Sequence, residues 1–356
     1  MRFSVRVNND LGYAELLALA EAAERAGFDQ LWVSNDLFLR SAPVLAGALA
    51  ARTSRIALGI GVMNPYSVHV SELAMLAATM QEVSGGRFLL GLGAGSAEFL
   101  GWAGITRADP LATTRTALVA LRALLGHPDA AGPAGAALPD WFGRDSVLRF
   151  PVPRPVPVYI GAMGPRMLRM AGRHADGVLP LLYPPERYAA VRAQVLAGAA
   201  DGQRDPAGLD LPACFWVSLS GDPVAARIAL AEKLAYYGPS ISAATLADAG
   251  LRPQDFAAAA RLAHGGRGAA ALIDDRMLSL GVAGDAHDVL ARCRMLVALG
   301  AKHLSFGPPL GPDPATAIQL LGERVLPALA ELAGEPGEGP GGTAGAGQPG
   351  EAMETA

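Results

Sequence analysis

The sequence contains few cysteines, few charged residues and no long apolar run, and each of these shortages excludes a class of protein. Only two of the 356 residues are cysteines, Cys214 and Cys293, and they form no CxxC pair. This pattern predicts neither a disulfide framework nor a thiolate zinc site, and it is typical of a reducing cytoplasm. The six histidines show no HExxH-type spacing, so we expect no metal site.

Charged residues make up 17% of the chain and hydrophobic residues 51%, with a formal net charge of −4. No Lys/Arg-rich run interleaved with aromatic residues occurs, so we expect no nucleic-acid partner. No apolar run is long enough to span a bilayer, and Met1-Arg2-Phe3-Ser4-Val5 is typical of a first strand and not of a signal peptide. These observations predict a cytoplasmic protein with a large core and no membrane partner.

Short apolar segments that are typical of strands alternate with helical patterns along most of the chain. The predicted strands cover residues 3–7, 30–34, 56–62, 87–93, 156–161, 176–181, 210–218 and 302–307. Eight strands that alternate with helices favour an α/β fold of the (β/α)8 TIM-barrel type. The competing doubly wound sheet needs a GxGxxG motif in its first turn, where this chain has Asn8-Asn9-Asp10.

Two segments depart from the alternation. Residues 219–300 carry mainly helical patterns and are too long for one crossover, so we predict a helical insertion before the last strand. Residues 334–356 are mostly Gly, Pro, Glu, Ala and Thr without apolar periodicity, which predicts a disordered tail. We therefore expect one barrel domain over residues 1–333.

Two of the predicted strands end in glycine-rich backbone, at residues 85–95 and 158–165. Strand ends without side chains leave backbone N–H groups free to approach a phosphate or a planar ring. The segment Gly161-Ala162-Met163-Gly164 also precedes Pro165, which fits the first position of a helix. Because strand ends of a barrel gather at one mouth, the two segments together predict a cofactor site there.

Several long motifs carry a family resemblance over residues 2–330. They are Trp32-Val33-Ser34, Gly61-Val62-Met63-Asn64-Pro65-Tyr66, Ser84-Gly85-Gly86-Arg87 through Gly95, and Tyr159-Ile160-Gly161-Ala162-Met163-Gly164-Pro165. With these motifs the chain resembles the luciferase-like flavin/deazaflavin oxidoreductases, and within them it is most similar to the methylenetetrahydromethanopterin reductase branch.

The resemblance implies a barrel that binds coenzyme F420, or alternatively FMN, at the carboxyl ends of its strands. It also implies a bulge in the third strand with a cis peptide bond, here Gly61–Val62, that backs one face of the cofactor ring. The coenzyme phosphate would lie near residues 161–164, and a homodimer is expected. The implied cofactor contacts are Asn35, Gly61, Val62, Asn64, Gly93, Ala94, Gly95, Gly161, Ala162, Met163 and Gly164.

The chain departs from the family at positions that carry side-chain chemistry. Arg6 stands where the reductases have an acidic residue, and Asn35-Asp36 stands where relatives commonly have Asp-His. Asp36 is our candidate catalytic residue, because a carboxylate can act as a base or hydrogen-bond acceptor. His69, which begins a helix near the bulge, and Trp216, on the seventh strand, are candidate substrate contacts.

Three functions follow as hypotheses. The first is an F420-dependent oxidoreductase that moves hydride between C5 of the deazaflavin and a small organic substrate, with a methylene-tetrahydropterin or folate-type C1 carrier as one candidate. The second is an FMN-dependent monooxygenase of the same fold. The third is a non-catalytic barrel that only binds the cofactor.

Overall fold

The structure, a computed structural model, describes residues 1–127, 138–181, 184–241, 243–263 and 268–334. The predicted disordered tail lies outside these ranges except for Gly334. Within them the strands are β1 (Arg2–Val7), β2 (Gln30–Val33), β3 (Ala57–Met63), β4 (Phe88–Leu92), β5 (Val158–Ala162), β6 (Gly177–Pro180), β7 (Ala213–Leu219), β8 (Val282–Gly284) and β9 (His303–Leu310).

Helices follow most of the strands. They are α1 (Tyr13–Arg25), α2 (Ala42–Arg52), α3 (Val70–Val83), α4 (Ala97–Trp102), α5 (Pro110–Leu124), α6 (Pro165–His174), α7 (Tyr188–Asp201), α8 (Pro223–Tyr237), α9 (Ala243–Asp248), α10 (Ala257–Ala263), α11 (Asp275–Leu278), α12 (Ala286–Ala298), α13 (Pro314–Leu320) and α14 (Leu326–Gly334). A π-helical turn over Leu321–Val325 joins the last two. None of the described helices combines the length and the apolar character that crossing a membrane requires.

The strands form one parallel sheet in the order β6-β5-β4-β3-β2-β1-β9-β7-β8. The ring closes between β6 and β7, because Gly177 of β6 forms a parallel bridge with Asp210, just before β7. The predicted (β/α)8 barrel is therefore confirmed. The prediction placed no strand within residues 219–300, and this was wrong: β8 lies there and pairs with Val217–Leu219 of β7. Three residues are too few to give a strand pattern in the sequence.

Side chains on each strand alternate between two cores. On β2, Leu31 and Val33 belong to the large apolar layer between strands and helices. Trp32 points into the barrel and meets Tyr159 edge-on, with ring centroids 5.0 Å apart. A Cβ at Gly59 would lie 2.2 Å from the Trp32 ring, so only glycine fits beside it. The large rings thus close the middle of the barrel.

A buried polar cluster fills the barrel at the amino ends of the strands. Asp210 accepts hydrogen bonds from Tyr159 Oη (2.7 Å) and Gln30 Nε2 (3.3 Å) and lies 2.9 Å from His303 Nδ1. Arg2 Nη1 pairs with the same carboxylate at 2.9 Å. These groups come from β1, β2, β5 and β9, so the cluster ties distant parts of the chain together.

The 219–300 segment has its own apolar core outside the barrel. Leu230 and Leu234 of α8 pack there with Phe256 and Met277. Trp216 of β7 belongs to the same core, which joins the insertion to the barrel wall. The insertion therefore covers the rim beside β7.

Candidate active site

One cavity of about 630 Å³ opens at the carboxyl ends of the strands. With the exception of His69, every site residue predicted from the sequence lines it: Asn35, Asp36, Gly61, Val62, Asn64, Gly93, Ala94, Gly95, Gly161, Ala162, Met163, Gly164 and Trp216. These residues lie on or directly after five different strands and are far apart in the sequence. The fold brings them to one place because parallel barrel strands end at the same mouth.

The floor of the cavity is a bulge in β3. The pairing of β3 with β4 shifts between Ile60 and Met63, and the Gly61–Val62 peptide bond is cis. A Cβ at Gly93 or Gly161 would lie 2.8 or 2.9 Å from the Val62 side chain. Glycines on β5 and directly after β4 thus leave room for Val62, whose isopropyl group gives the floor a flat apolar surface.

The β3 bulge leads into a tight turn at Asn64. The buried Asn64 side chain accepts hydrogen bonds through Oδ1 from the backbone N–H groups of Tyr66 (3.1 Å) and Ser67 (2.9 Å). Gly95, with φ at +69°, would place a Cβ 3.3 Å from Asn64. Asn64 therefore shapes this wall through its turn as well as lining it.

The start of α6 forms another part of the wall. Gly164 is the N-cap residue and Pro165 the first helical residue, and among the described residues no side chain caps the helix. Backbone N–H groups at an uncapped helix start carry partial positive charge and suit an anion. The cavity here is bordered by Met163 and Met167, so an anionic group would meet backbone donors beside apolar side chains.

Asp36 is held at the mouth by a residue that the sequence reasoning missed. Asn9 is fully buried, and its Nδ2 donates to the carbonyl oxygens of Asp36 (3.0 Å) and Arg40 (2.8 Å). Its Oδ1 accepts from Ser34 Oγ at 2.8 Å. Asn9 therefore fixes the loop after β2. The Asn8-Asn9-Asp10 turn gave no sign of this, because the bonds cross to a loop distant in sequence.

Two further residues come from α8 in the insertion. Lys233 and Tyr237 line the cavity, and Lys233 Nζ lies 4.1 Å from the centroid of the Tyr237 ring. Burial raises the pKa of Asp36, while the Lys233 charge and a hydrogen bond from Tyr237 act in the opposite direction. Burial also lowers the pKa of Lys233 to about 8, although Asp10 and Asp36 favour its charged form. No motif in the insertion predicted that either residue lines the cavity.

Arg6 stands on β1 within the same cavity. Its Nε donates to Ser305 Oγ at 3.1 Å, and its Nη2 donates to the carbonyl oxygen of Phe215 at 2.8 Å. A Cβ at Gly307 would lie 2.3 Å from Nη2, so glycine makes room for the guanidinium. A fixed cation therefore occupies the position where the resemblance led us to expect an acid.

His69 does not line the cavity. It is exposed, it caps α3 by accepting a hydrogen bond from Ser71 N–H at 3.3 Å, and its ring lies 5.0 Å from that of Trp141. The sequence placed it correctly at a helix start near the bulge, but the helix directs the ring elsewhere. The structure gives no support to the predicted substrate contact.

Asp285, His287 and Asp288 bring ligand-type atoms within 4.8 Å of one another at the start of α12. All three are exposed, and the two carboxylates form a capping box with the helix backbone. Helix capping explains this cluster.

Comparison with known proteins agrees with the fold. The family model described as Luciferase-like monooxygenase matches residues 1–303. The chain therefore belongs to the luciferase-like monooxygenase family.

Its relatives narrow the class. The chain is 31% identical to the 5,10-methylenetetrahydromethanopterin reductase of Methanolobus tindarius, over 86% of this chain and 94% of that one. It is 30% identical to the F420-dependent glucose-6-phosphate dehydrogenase of Nakamurella multipartita, over 94% and 98%. The solved coenzyme F420 dependent tetrahydromethanopterin reductase from Methanopyrus kandleri superposes with a TM-score of 0.82 at 25% identity, covering 92% of this chain and 99% of that one.

Proposed function

We propose that this protein is a coenzyme F420-dependent oxidoreductase acting on a small organic substrate. The observation that carries the proposal is the apolar floor that Val62 forms between Gly93 and Gly161, inside a cavity of about 630 Å³. A flat tricyclic ring needs such a surface without protruding side chains. The relatives named as F420-dependent enzymes support this cofactor.

The residues present fit the cofactor. Val62 and the backbone at Gly93 and Gly161 would back one face of the ring, which leaves the other face for the substrate. The uncapped start of α6 after Gly164 would hold a phosphate through backbone N–H groups. When bound, the deazaflavin supplies the hydride donor or acceptor at its C5 carbon.

The chain's own side chains would handle the proton. Asp36 lines the cavity within hydrogen-bonding reach of Tyr237, so its carboxylate can take a proton from a substrate at that wall. The apolar floor and the rings of Trp32 and Trp216 would exclude water from this part of the cavity when cofactor and substrate are bound, which would strengthen electrostatic interactions inside it. Asp36 is accordingly the proposed catalytic residue.

The substrate is proposed more broadly than the cofactor. A methylene-tetrahydropterin or folate-type C1 carrier is one candidate, because reductases of that substrate are among the relatives. Arg6 differs from the acid expected for that branch and favours a different substrate. The homodimer and the cytoplasmic location stay predictions.

The test is a binding titration of the protein with F420 and, separately, with FMN, followed by the cofactor's absorbance or fluorescence. We expect F420 to bind at micromolar or lower concentration and FMN to bind more weakly. Ala94→Trp places an indole in the cavity and should weaken F420 binding by a factor of about 10 or more, because a blocked site loses most of its contacts.

Ala103→Trp is the matched control, because Ala103 is exposed and does not line the cavity. It should leave the affinity unchanged, and both variants should melt close to the parent. Tight FMN binding with oxygen-consuming turnover of reduced FMN, and no F420 binding, would replace the proposal with a flavin monooxygenase. F420 binding without turnover of any substrate in a broad panel would indicate the non-catalytic barrel.

A further inference from the structure

Two cations, Arg6 and Lys233, face the cavity. In the described part of the chain, Arg6 and Lys233 make no ion pair within 4.0 Å. Arg6 donates hydrogen bonds through Nε to Ser305 Oγ and through Nη2 to the carbonyl oxygen of Phe215. No hydrogen bond from its Nη1 is found among the described residues. Lys233 Nζ meets only the ring of Tyr237 there, at 4.1 Å from its centroid.

The charges around these two groups do not balance inside the cavity. Asp36 is the half-buried carboxylate on the lining. Asp10 also favours the charged form of Lys233, but Asp10 is exposed and does not line the cavity. Glu98 and Arg107 stand at the exposed rim, where solvent screens them. Two cations therefore face one carboxylate. A cation removed from water is costly unless an anion or several hydrogen bonds compensate it, so the cavity lacks one negative charge.

The two cations lie away from the proposed cofactor contacts. Arg6 lies on β1, and β5, which carries Gly161, is four strands away in either direction around the ring. The cations therefore lie across the barrel from the start of α6, where a cofactor phosphate fits. Trp216 and Tyr237, with ring centroids 5.9 Å apart, add an aromatic wall beside them.

We infer that Arg6 and Lys233 form a substrate subsite for a carboxylate, so that the substrate is a small organic monoanion. The inference rests on the proposed function, because it assigns the other wall to the cofactor. The carboxylate would accept hydrogen bonds from Arg6 Nη1 and Lys233 Nζ, and its apolar part would lie against Trp216. Asp36 is then next to the bound substrate.

The chain offers an unusually direct test, since Lys233 and Lys302 are its only lysines. Protein labelled at the lysine side chains gives two NMR signals, which Lys302→Met assigns. We expect sodium benzoate to shift the Lys233 signal and benzamide, its neutral analogue, to leave it unmoved. Benzoate should also raise the pKa of Lys233 above its starting value of about 8, because a nearby anion favours the ammonium form.

Affinities measured by tryptophan fluorescence complete the test. Benzoate should bind about tenfold or more tightly than benzamide, the effect of one charge-assisted hydrogen bond. Lys233→Met should remove most of this preference and Lys233→Arg should keep it. Arg6→Lys keeps the positive charge but loses the several N–H donors of the guanidinium, so it should weaken benzoate binding. Lys302→Met, at an exposed position on the opposite end of the barrel, should change nothing.

The inference is overturned if benzoate leaves the Lys233 signal in place, or if Lys233→Met keeps the preference. Displacement of benzoate by F420 would overturn it as well, because the anion site would then belong to the cofactor. If the parent protein binds benzoate at Lys233 but does not bind F420, the carboxylate subsite is upheld and the proposed function is wrong. The two failures are therefore distinguishable.

Discussion

Asp36 is a carboxyl group on which burial and hydrogen bonding act in opposite directions. Burial raises its pKa, and the hydrogen bond from Tyr237 opposes the rise. A base works only as its carboxylate, so activity in the direction that takes a proton from the substrate is present above this pKa and lost as the pH falls through it. A raised pKa places that loss at a higher pH than an exposed aspartate would.

Removing the Tyr237 hydroxyl should move this loss of activity to a still higher pH. Tyr237→Phe takes away a hydrogen bond that stabilises the carboxylate, so the pKa of Asp36 should rise. An NMR titration of labelled aspartate carboxyl carbons measures the pKa of Asp36, and the signal that is missing from Asp36→Asn identifies this residue. Tyr236→Phe, which alters a residue outside the lining, is the control. A pKa of Asp36 at or below 3.8 would contradict the argument.

At the scale of single residues, sequence reasoning found the glycine-rich backbone of the site and two of its charged side chains, but it missed Asn9 and Lys233. Glycine patterns are local, so Gly93 and Gly161 were found from strands that end in glycine, whereas Gly61 was implied by the family resemblance. Asn9 and Lys233 act through contacts with segments far away in the sequence. Such contacts leave no spacing pattern, and only the folded chain reveals them.

Helix α8 is the element that connects the insertion to the cavity. One face buries Leu230 and Leu234 in the insertion's core, and the same helix presents Lys233 and Tyr237 to the site. The packing of the buried face therefore sets where the two functional side chains lie. Residues 219–300 are mainly helical as predicted, but without a motif the sequence did not show which of their side chains would line the site.

Two substitutions on α8 test this packing. Leu230 is fully buried, so Leu230→Ala should lower the free energy of unfolding by about 2–5 kcal/mol through lost contacts and a cavity. Ile228 on the same helix is 48% exposed, and Ile228→Ala should cost about 0.5 kcal/mol or less. Urea denaturation of both variants gives the comparison, and equal losses would show that the helix is not anchored through this face.

At the scale of the whole molecule, the buried cluster around Asp210 connects strands from different parts of the barrel at their amino ends. His303, Arg2 and the hydroxyl of Tyr159 together hold the pKa of Asp210 well below its usual range, against the effect of burial. A carboxylate with a lowered pKa stabilises the folded state above its unfolded pKa of about 4 and loses that contribution as the pH falls. Acid should therefore open the barrel at this cluster.

Asp210→Asn tests the claim. It leaves Arg2 and His303 without their carboxylate, so the free energy of unfolding at pH 7 should fall by about 3 kcal/mol. The variant should also lose much of the decline in stability that we expect of the parent between about pH 5 and pH 2. Asp145→Asn, at an exposed carboxylate, should match the parent in denaturant titrations across the same range. An unchanged acid profile in Asp210→Asn would refute the assignment.

Local patterns in the sequence predicted the alternating strands and helices, the barrel, and the glycine-rich strand ends at its mouth. These follow from apolar periodicity and backbone freedom, which depend on neighbouring residues along the chain. Tertiary structure alone decided that His69 turns away from the cavity, that Val282–Gly284 adds a strand, and that Arg6 and Lys233 meet there. The reason is physical: charge balance and side-chain direction depend on which distant segments the closed ring brings together.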